Sequence, residues 1–415
     1  MVRLFVDTYR TAASARAGGS GKKKTERVIL VRSCEKQIIY LIACALHDTA
    51  PDESVVAGID LEALFRLANA HSLTAVTCMG LEKGRALDSA PKDIAQKWKE
   101  AKAKAIRKNM LLDADRRKIL DEMERAGIWY LPLKGCVLKD LYPKFGMRQM
   151  ADNDILYDSS RLEDLKRIFR EQGYSWQDAK GSVHDHFEKP PVYNFEMHRA
   201  LFAHESYPVW DEKYSAVKNM CIPDEGKQFG FHLSDEDFYV YITAHAYKHF
   251  SNSGTGLRTL VDFYVYNLKK GRAMNRDYVD SELKSLGIYD YESISRRLAD
   301  KLFAKPDPDF SDSLIDDEAE QLEYYLGSGT YGTVSNRVSK TMTEIQGDGK
   351  PIRGATRLKY ILSRLFPGRQ WCKVAYPFFY KYPVLLPILW VYRIFRGLIK
   401  RRKHIAGEIR AVKKQ

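Results

Sequence analysis

Asp152 and Asp154 stand two residues apart in the run Ala151-Asp152-Asn153-Asp154-Ile155-Leu156-Tyr157. On a β-strand alternate side chains share a face, so the two carboxylates would project side by side. Held that close they repel unless a cation neutralises them, and hard oxygen ligands of this kind suit Mg²⁺ or Mn²⁺. The apolar continuation Ile155-Leu156 favours a strand over a solvated surface loop. In the later run Tyr193 to His198, Asn194, Glu196 and His198 share one face, and Tyr193, Phe195 and Met197 share the other. Glu196 could therefore supply a third carboxylate. A two-metal site of that composition polarises a phosphoryl group and activates a hydroxyl for in-line attack. Lys134-Gly135 lies between a strand and a helix, where the lysine and a helix N-terminus could hold a triphosphate and the glycine admits close backbone approach. Arg148 precedes the aspartates by four residues and could neutralise further phosphate charge. His198 lines the same face as Glu196.

These residues need a scaffold, and the hydrophobic pattern supplies one. Residues 33 to 116 read as helical: Cys34 to Leu46 is strongly apolar, Asp60 to His71 keeps helical spacing, and Ala90 to Met110 alternates Lys and Ala. A helix ending at Ala126-Gly127 leads into the β-type run Ile128 to Leu133. A short helix follows to Tyr142, then a strand at Asp152 to Tyr157 and an amphipathic helix at Arg161 to Gly173. Tyr174 to about Lys180 and Val192 to His198 read as further strands. The order β-α-β-α-β-β predicts a small mixed sheet with helices on one side. Ser234 and Asp237 make a capping box for a helix whose Phe238, Ile242, His245 and His249 share a face. The expected class is α+β, a small mixed-sheet core flanked by N-terminal and C-terminal helical regions. The expected divisions are a disordered basic tail at 1–32, a helical region at 33–116, the core at 117–232, a helical region at 233–304 and a C-terminal region at 305–415.

The ordered set Leu133-Lys134-Gly135, Leu141-Tyr142-Pro143, Met147-Arg148, Asp152-Asn153-Asp154-Ile155-Leu156 and Phe195-Glu196-Met197-His198 resembles the uncharacterised nucleotidyltransferase family of the polymerase-β-like superfamily. Downstream, His245 to His249, Gly256-Leu257-Arg258 and Asp262 resemble that family's helical half. The similarity spans roughly residues 40 to 340. It implies a nucleotidyltransferase core in which Asp152 and Asp154 bind the metals and Glu196 is the third carboxylate. Lys134-Gly135 stands where the superfamily usually has Gly-Ser, and Asn153 stands where an apolar residue usually packs behind the site. The reaction so implied is Mg²⁺- or Mn²⁺-dependent transfer of a nucleotidyl group from an NTP such as ATP to an acceptor hydroxyl or phosphate. The rival reading is a non-catalytic binding protein of the same fold, acting at a membrane surface or on nucleic acid.

The formal net charge is +13, a surplus that suits a phosphate-bearing partner. It sits at the ends: seven basic residues against two acidic in 1–27, and nine against one in 392–415. The last stretch also carries Trp371, Tyr376, Phe378, Phe379, Tyr380, Tyr382, Trp390, Tyr392 and Phe395. Its longest uncharged run, Tyr382 to Tyr392, is shorter than the about 20 residues a spanning helix needs. It reads as a helix packed on the core, as an interfacial segment on anionic lipid, or as a contact for single-stranded nucleic acid. No stable protein partner is indicated. Six widely spaced cysteines and no secretory signal place the chain in a reducing cytoplasm, with peripheral membrane contact as the variant. Gly327 to Gly332 fits GxGxxG but lacks a β-α-β context and reads as a loop. His245 and His249 read as structural or site-lining rather than zinc ligands, and Arg258 reads as paired with Asp262.

Overall fold

The computed structural model describes residues 31–177, 182–347, 354–367, 372, 376–400 and 402–414. The basic tail expected at the N-terminus, Trp371, Arg401 and the end of the strand expected near Lys180 lie outside the described residues.

The chain forms two compact units, a larger one of residues 28–247 and 256–330 and a smaller one that includes 248–255 and 331–415. The larger unit opens with helices α1 (Ser33–Leu46), α2 (Leu61–Ala70), α3 (Thr74–Lys83) and α4 (Lys92–Arg125). In α1, every residue from Ile38 to Leu46 is buried. Asp60 caps α2 through the amides of Glu62 and Ala63. Helix α4 is 34 residues long and runs unbroken across position 116, carrying the N-terminal helical region directly under the sheet.

The sheet holds β1 (Tyr130–Pro132), β2 (Asn153–Tyr157), β3 (Ser175–Gln177), β4 (His184–Lys189) and β5 (Tyr193–His198), in the order β1-β2-β5-β4-β3. The β2–β5 pair is parallel and the others are antiparallel, so the sheet is mixed. Short helix α5 (Gly135–Leu138) links β1 to β2, and α6 (Leu162–Glu171) follows β2. One sheet face packs Tyr130, Ile155, Tyr157, Phe187, Phe195 and Met197 against Ile119 and Met123 of α4 and Leu165, Ile168 and Phe169 of α6. The alternation read from Tyr193 to His198 is therefore the alternation observed: apolar residues toward the helices, Glu196 and His198 toward the other face.

Strand β4 is absent from the sequence reading, which has four strands where the sheet has five. Its sequence His-Asp-His-Phe-Glu-Lys is charged, and the following Pro190-Pro191 reads as a breaker. Pairing on both edges with β3 and β5 overrides that weak propensity. Asp185 faces the interior yet keeps partners there, accepting hydrogen bonds from Tyr157 Oη (3.1 Å) and Trp176 Nε1 (3.2 Å).

Beyond the sheet come α7 (Asp235–Asn252) and α8 (Arg258–Lys270), then helices Arg276–Ser285, Tyr289–Phe303 and Asp316–Ser328. Ser234 accepts the Asp237 amide at 3.0 Å, as the capping box requires. Residues 305–330, expected to start a C-terminal region, belong to the larger unit. Glycines 327 and 329 lie at the end of the last of these helices, outside any β-α-β turn. The smaller unit contains helices Val334–Gln346, Gly354–Leu365, Leu386–Lys400 and Arg402–Lys414, with Val338, Met342, Tyr360, Ala411 and Val412 as its core. No helix among the described residues is long and apolar enough to cross a membrane. The protein is thus α+β, a small mixed sheet flanked by helices.

Candidate active site

The segment 148–151, just before β2, is pinned by three helices. From α4, Asn109 donates to the Arg148 carbonyl (2.8 Å) and accepts the Met150 amide (3.2 Å), and Lys108 donates to the Ala151 carbonyl (2.8 Å). From α3, the Thr74 hydroxyl and the Ala75 amide donate to the Gln149 side chain at 2.9 and 3.0 Å. From α8, Arg258 donates to the Gln149 carbonyl at 3.2 Å. Behind the strand, fully buried Asn153 donates to the Leu112 carbonyl (3.1 Å) and accepts from Arg116 (3.0 Å). A polar side chain is tolerated there because both ends of its amide are bonded. On α4, Asn109, Leu112, Arg116 and Ile119 recur at spacings of three and four, so one helix face serves both the polar anchor and the apolar core.

That anchoring fixes Asp152 and Asp154. In the parallel register Asp154 is opposite Glu196, and Leu156 is opposite His198. Asp154, Glu196 and His198 present ligand atoms within 4.8 Å of one another. Asp152 lies one residue before β2 and completes the acidic group electrostatically. Burial first, then the charges of Asp154 and Glu196, push its carboxyl up to about 7. Glu196 is also raised, by burial and by Asp154. For Asp154 burial works against ionisation, yet Lys134 and His198 hold it below the usual carboxylate range. Asp154 and Glu196 side by side on one sheet face, with Asp152 close enough to feel both charges, are a donor set for a hard divalent cation. The residues fit the metal.

Lys134 donates to Asp154 Oδ1 at 2.7 Å, and the His198 Nε2 lies 3.0 Å from the same oxygen. Burial opposes the lysine's charge, but Asp154 keeps its pKa raised. The Lys134 backbone has φ 45° and ψ −117°, a conformation at ease only for glycine. Lys134 thus takes a glycine-like turn and stretches an ammonium group into the site. Gly135 is packed closely, but by protein: a Cβ there would lie 2.7 Å from Arg148 Nη1 and 2.8 Å from Met150 Sδ.

Arg148 is set apart from this cluster by its own partner. Its Nε and Nη2 donate to the two Asp262 oxygens at 2.8 and 3.0 Å, and Tyr142 donates to Asp262 at 2.7 Å. Asp262, four residues after Arg258 on α8, therefore ties the helical half to the loop that precedes the aspartates.

Three neighbours were missed from sequence. Tyr241 of α7 is buried, and its hydroxyl has no hydrogen-bond partner among the described residues. Burial raises its pKa, and Lys134, Asp154 and Glu196 all act on it. His184 and His186 of β4 stand 3.9 and 3.8 Å from Glu196. Burial and the adjacent His198 push His184 down to about 3. The available signal was the period-two His-x-His, visible only once that segment is a strand.

The profile of the uncharacterised nucleotidyltransferase family matches residues 57–304, which takes in α3, α4, the whole sheet, α7 and α8. Comparison with curated proteins and with solved structures returned no significant match. Since the matched span is more than half of the chain and contains every residue of the acidic cluster, the chain belongs to the uncharacterised nucleotidyltransferase family.

Proposed function

We propose that the protein transfers a nucleotidyl group from an NTP to an acceptor hydroxyl or phosphate, with Asp152, Asp154 and Glu196 holding Mg²⁺ or Mn²⁺. The meeting of Asp154, Glu196 and His198 on one sheet face, with Asp152 bearing on the first two in charge, supports this reading most directly. Bound there, the divalent ions would supply Lewis-acid polarisation of the α-phosphoryl group and a lowered pKa for the acceptor. The acceptor oxygen bonds to the α-phosphorus as the bond to the β-phosphate bridge breaks, and pyrophosphate leaves. Lys134 places its ammonium against Asp154, in the acidic group itself, and is our choice for the triphosphate. Gly135 holds the turn that aims it. Arg148, whose charge is matched by Asp262, is in our reading a brace for this loop. His198 bonds Asp154 and fixes its orientation.

Incubation with Mg²⁺, candidate acceptors and α-³²P- or γ-³²P-labelled ATP tests the reading. Transfer of the α label, lost in Asp152→Ala/Asp154→Ala, is expected. Transfer of γ label would indicate a kinase, and triphosphate binding that survives the double substitution without transfer would indicate a binder.

A second proposal concerns location. On the helix Leu386–Lys400, Ile388, Val391, Tyr392 and Phe395 are exposed at spacings of three, one and three, an apolar stripe on one face. We propose that this helix lies on anionic membrane from the cytoplasmic side. Co-sedimentation with phosphatidylserine vesicles is expected, with at least about a tenfold loss for Ile388→Asp/Phe395→Asp; binding unchanged by that pair would refute it.

A further inference from the structure

The second cluster on the open sheet face has a different chemistry from the first. His184 and His186 alternate along β4, and in the antiparallel register they lie opposite His198 and Glu196. His184 Nε2 is 3.9 Å from Glu196 Oε2, and His186 Nδ1 is 3.8 Å from Glu196 Oε1. The two imidazole rings meet edge-on with centroids 4.7 Å apart. All three ligand atoms lie within 4.8 Å of one another. The side chains are neither sealed nor loose, at 25%, 28% and 23% exposure. An ion could enter without the fold opening.

We propose that His184, His186 and Glu196 bind a borderline transition-metal dication of the Zn²⁺ or Co²⁺ class, separate from the oxygen-ligated site at Asp152 and Asp154. Two imidazole nitrogens and one carboxylate suit such an ion, whereas Mg²⁺ prefers oxygen donors and water. With metal–ligand bonds of about 2.0–2.2 Å, tetrahedral donors stand about 3.3–3.6 Å apart. The two histidine–Glu196 separations, each to a different carboxylate oxygen, exceed that by a few tenths of an ångström. Side-chain rotation must bring the three ligand atoms in from within 4.8 Å of one another. The outer face of His184 is already supported. Its Nδ1 is 3.1 Å from the Ser182 hydroxyl, which orients the ring and leaves Nε2 toward Glu196. Ordinary hydrogen bonding does not account for the arrangement, because neither histidine nitrogen reaches Glu196 closely enough to bond it.

Because Glu196 belongs to both clusters, an ion on the histidines would draw its charge away from Asp152 and Asp154. The identity of the metal on β4 would then set how strongly the aspartates repel and how readily they take Mg²⁺. The site itself depends on no transfer reaction.

The test uses the full chain, stripped with a chelator and dialysed, with Co²⁺ as the probe. One equivalent is expected to give the visible ligand-field absorption of nitrogen-ligated cobalt. His184→Gln/His186→Gln is expected to lower its affinity at least about tenfold, while Asp152→Asn leaves the absorption in place. Absorption unchanged in the glutamine pair, or absent from the wild type, overturns the proposal. Should the pair lose its circular dichroism, protection decides the matter in the unmodified protein. Zn²⁺ is expected to shield His184 and His186 from carbethoxylation, read by peptide mass, and lack of shielding overturns the site. Failure of α-label transfer would leave these readouts untouched, so the two proposals fail separately.

Discussion

Replacing Asp152 by asparagine is expected to abolish nucleotidyl transfer and, in chelator-treated protein at pH 8, to raise the melting temperature. The two effects share one cause. Asp152 is crowded by Asp154 and Glu196 in a site that burial has partly stripped of water, which pushes its carboxyl up to about 7. In the unfolded chain an aspartate titrates near 3.9. The folded state therefore binds the Asp152 proton more tightly than the unfolded state. The penalty for ionising it is absent below about pH 4, grows between about pH 4 and 7, and is complete above that. The asparagine amide never carries the charge, so the variant gains at pH 8 and gains little at pH 4. A gain of about 1 kcal/mol, seen as a rise on the order of 2 °C, is expected. The loss of activity is far larger. If the carboxylate's metal interaction supplies about 4 kcal/mol in the transition state, its removal slows transfer by about a thousandfold. Calorimetry at the two pH values and the α-label assay read the two effects independently. A melting temperature that falls at pH 8 would show that Asp152 is not under like-charge stress.

The same stress explains how much of this protein was legible beforehand. Asp154, Glu196 and the two faces of β5 follow from period-two alternation, which survives in a single sequence because one sheet face is packed by apolar side chains and the other is not. Asp152 falls one residue before the strand on which it was read. The mixed sheet and its helical flanks follow from the same periodicities. What was hidden depends on contacts distant in sequence. Strand β4 exists because β3 and β5 pair with it, so His184 and His186 could not be placed on a face until the sheet was known. Asn153 looked misplaced behind the site, and only the Leu112 carbonyl and Arg116 of a helix some forty residues earlier make it fit. Tyr241 sits in an apolar helical stretch that reads as core, and its hydroxyl's surroundings come from the turn after β1, from β2 and from β5. Arg148 is the clearest case. Four residues before the aspartates, its position suggested phosphate; its geometry gives it a carboxylate 114 residues away.

That carboxylate, Asp262, is the position where a single change outside the acidic cluster should do the most structural damage. The Arg148 side chain is 8% exposed and Asp262 14%, and the two-point geometry satisfies the fork of the guanidinium. Burial opposes the charge on Arg148, yet Asp262 holds its pKa raised. Asp262→Ala would leave a guanidinium and the Tyr142 hydroxyl without their acceptor in a largely dry pocket. Removing one partner of a buried pair costs about 3–5 kcal/mol, a large share of the about 5–15 kcal/mol that holds a typical domain. Arg148→Met/Asp262→Leu removes both charges and should recover most of that loss. A remainder of about 1 kcal/mol would persist for the unpaired Tyr142 hydroxyl. Urea denaturation of Arg148→Met, Asp262→Leu and the double closes a cycle whose coupling term isolates the pair. The same proteins separate the two roles open to Arg148. A brace predicts that the double variant, refolded to near wild-type stability, binds ATP nearly as well as the parent. A phosphate ligand predicts that ATP affinity falls in every variant lacking Arg148, whatever its stability, because no restored packing can replace the missing cation.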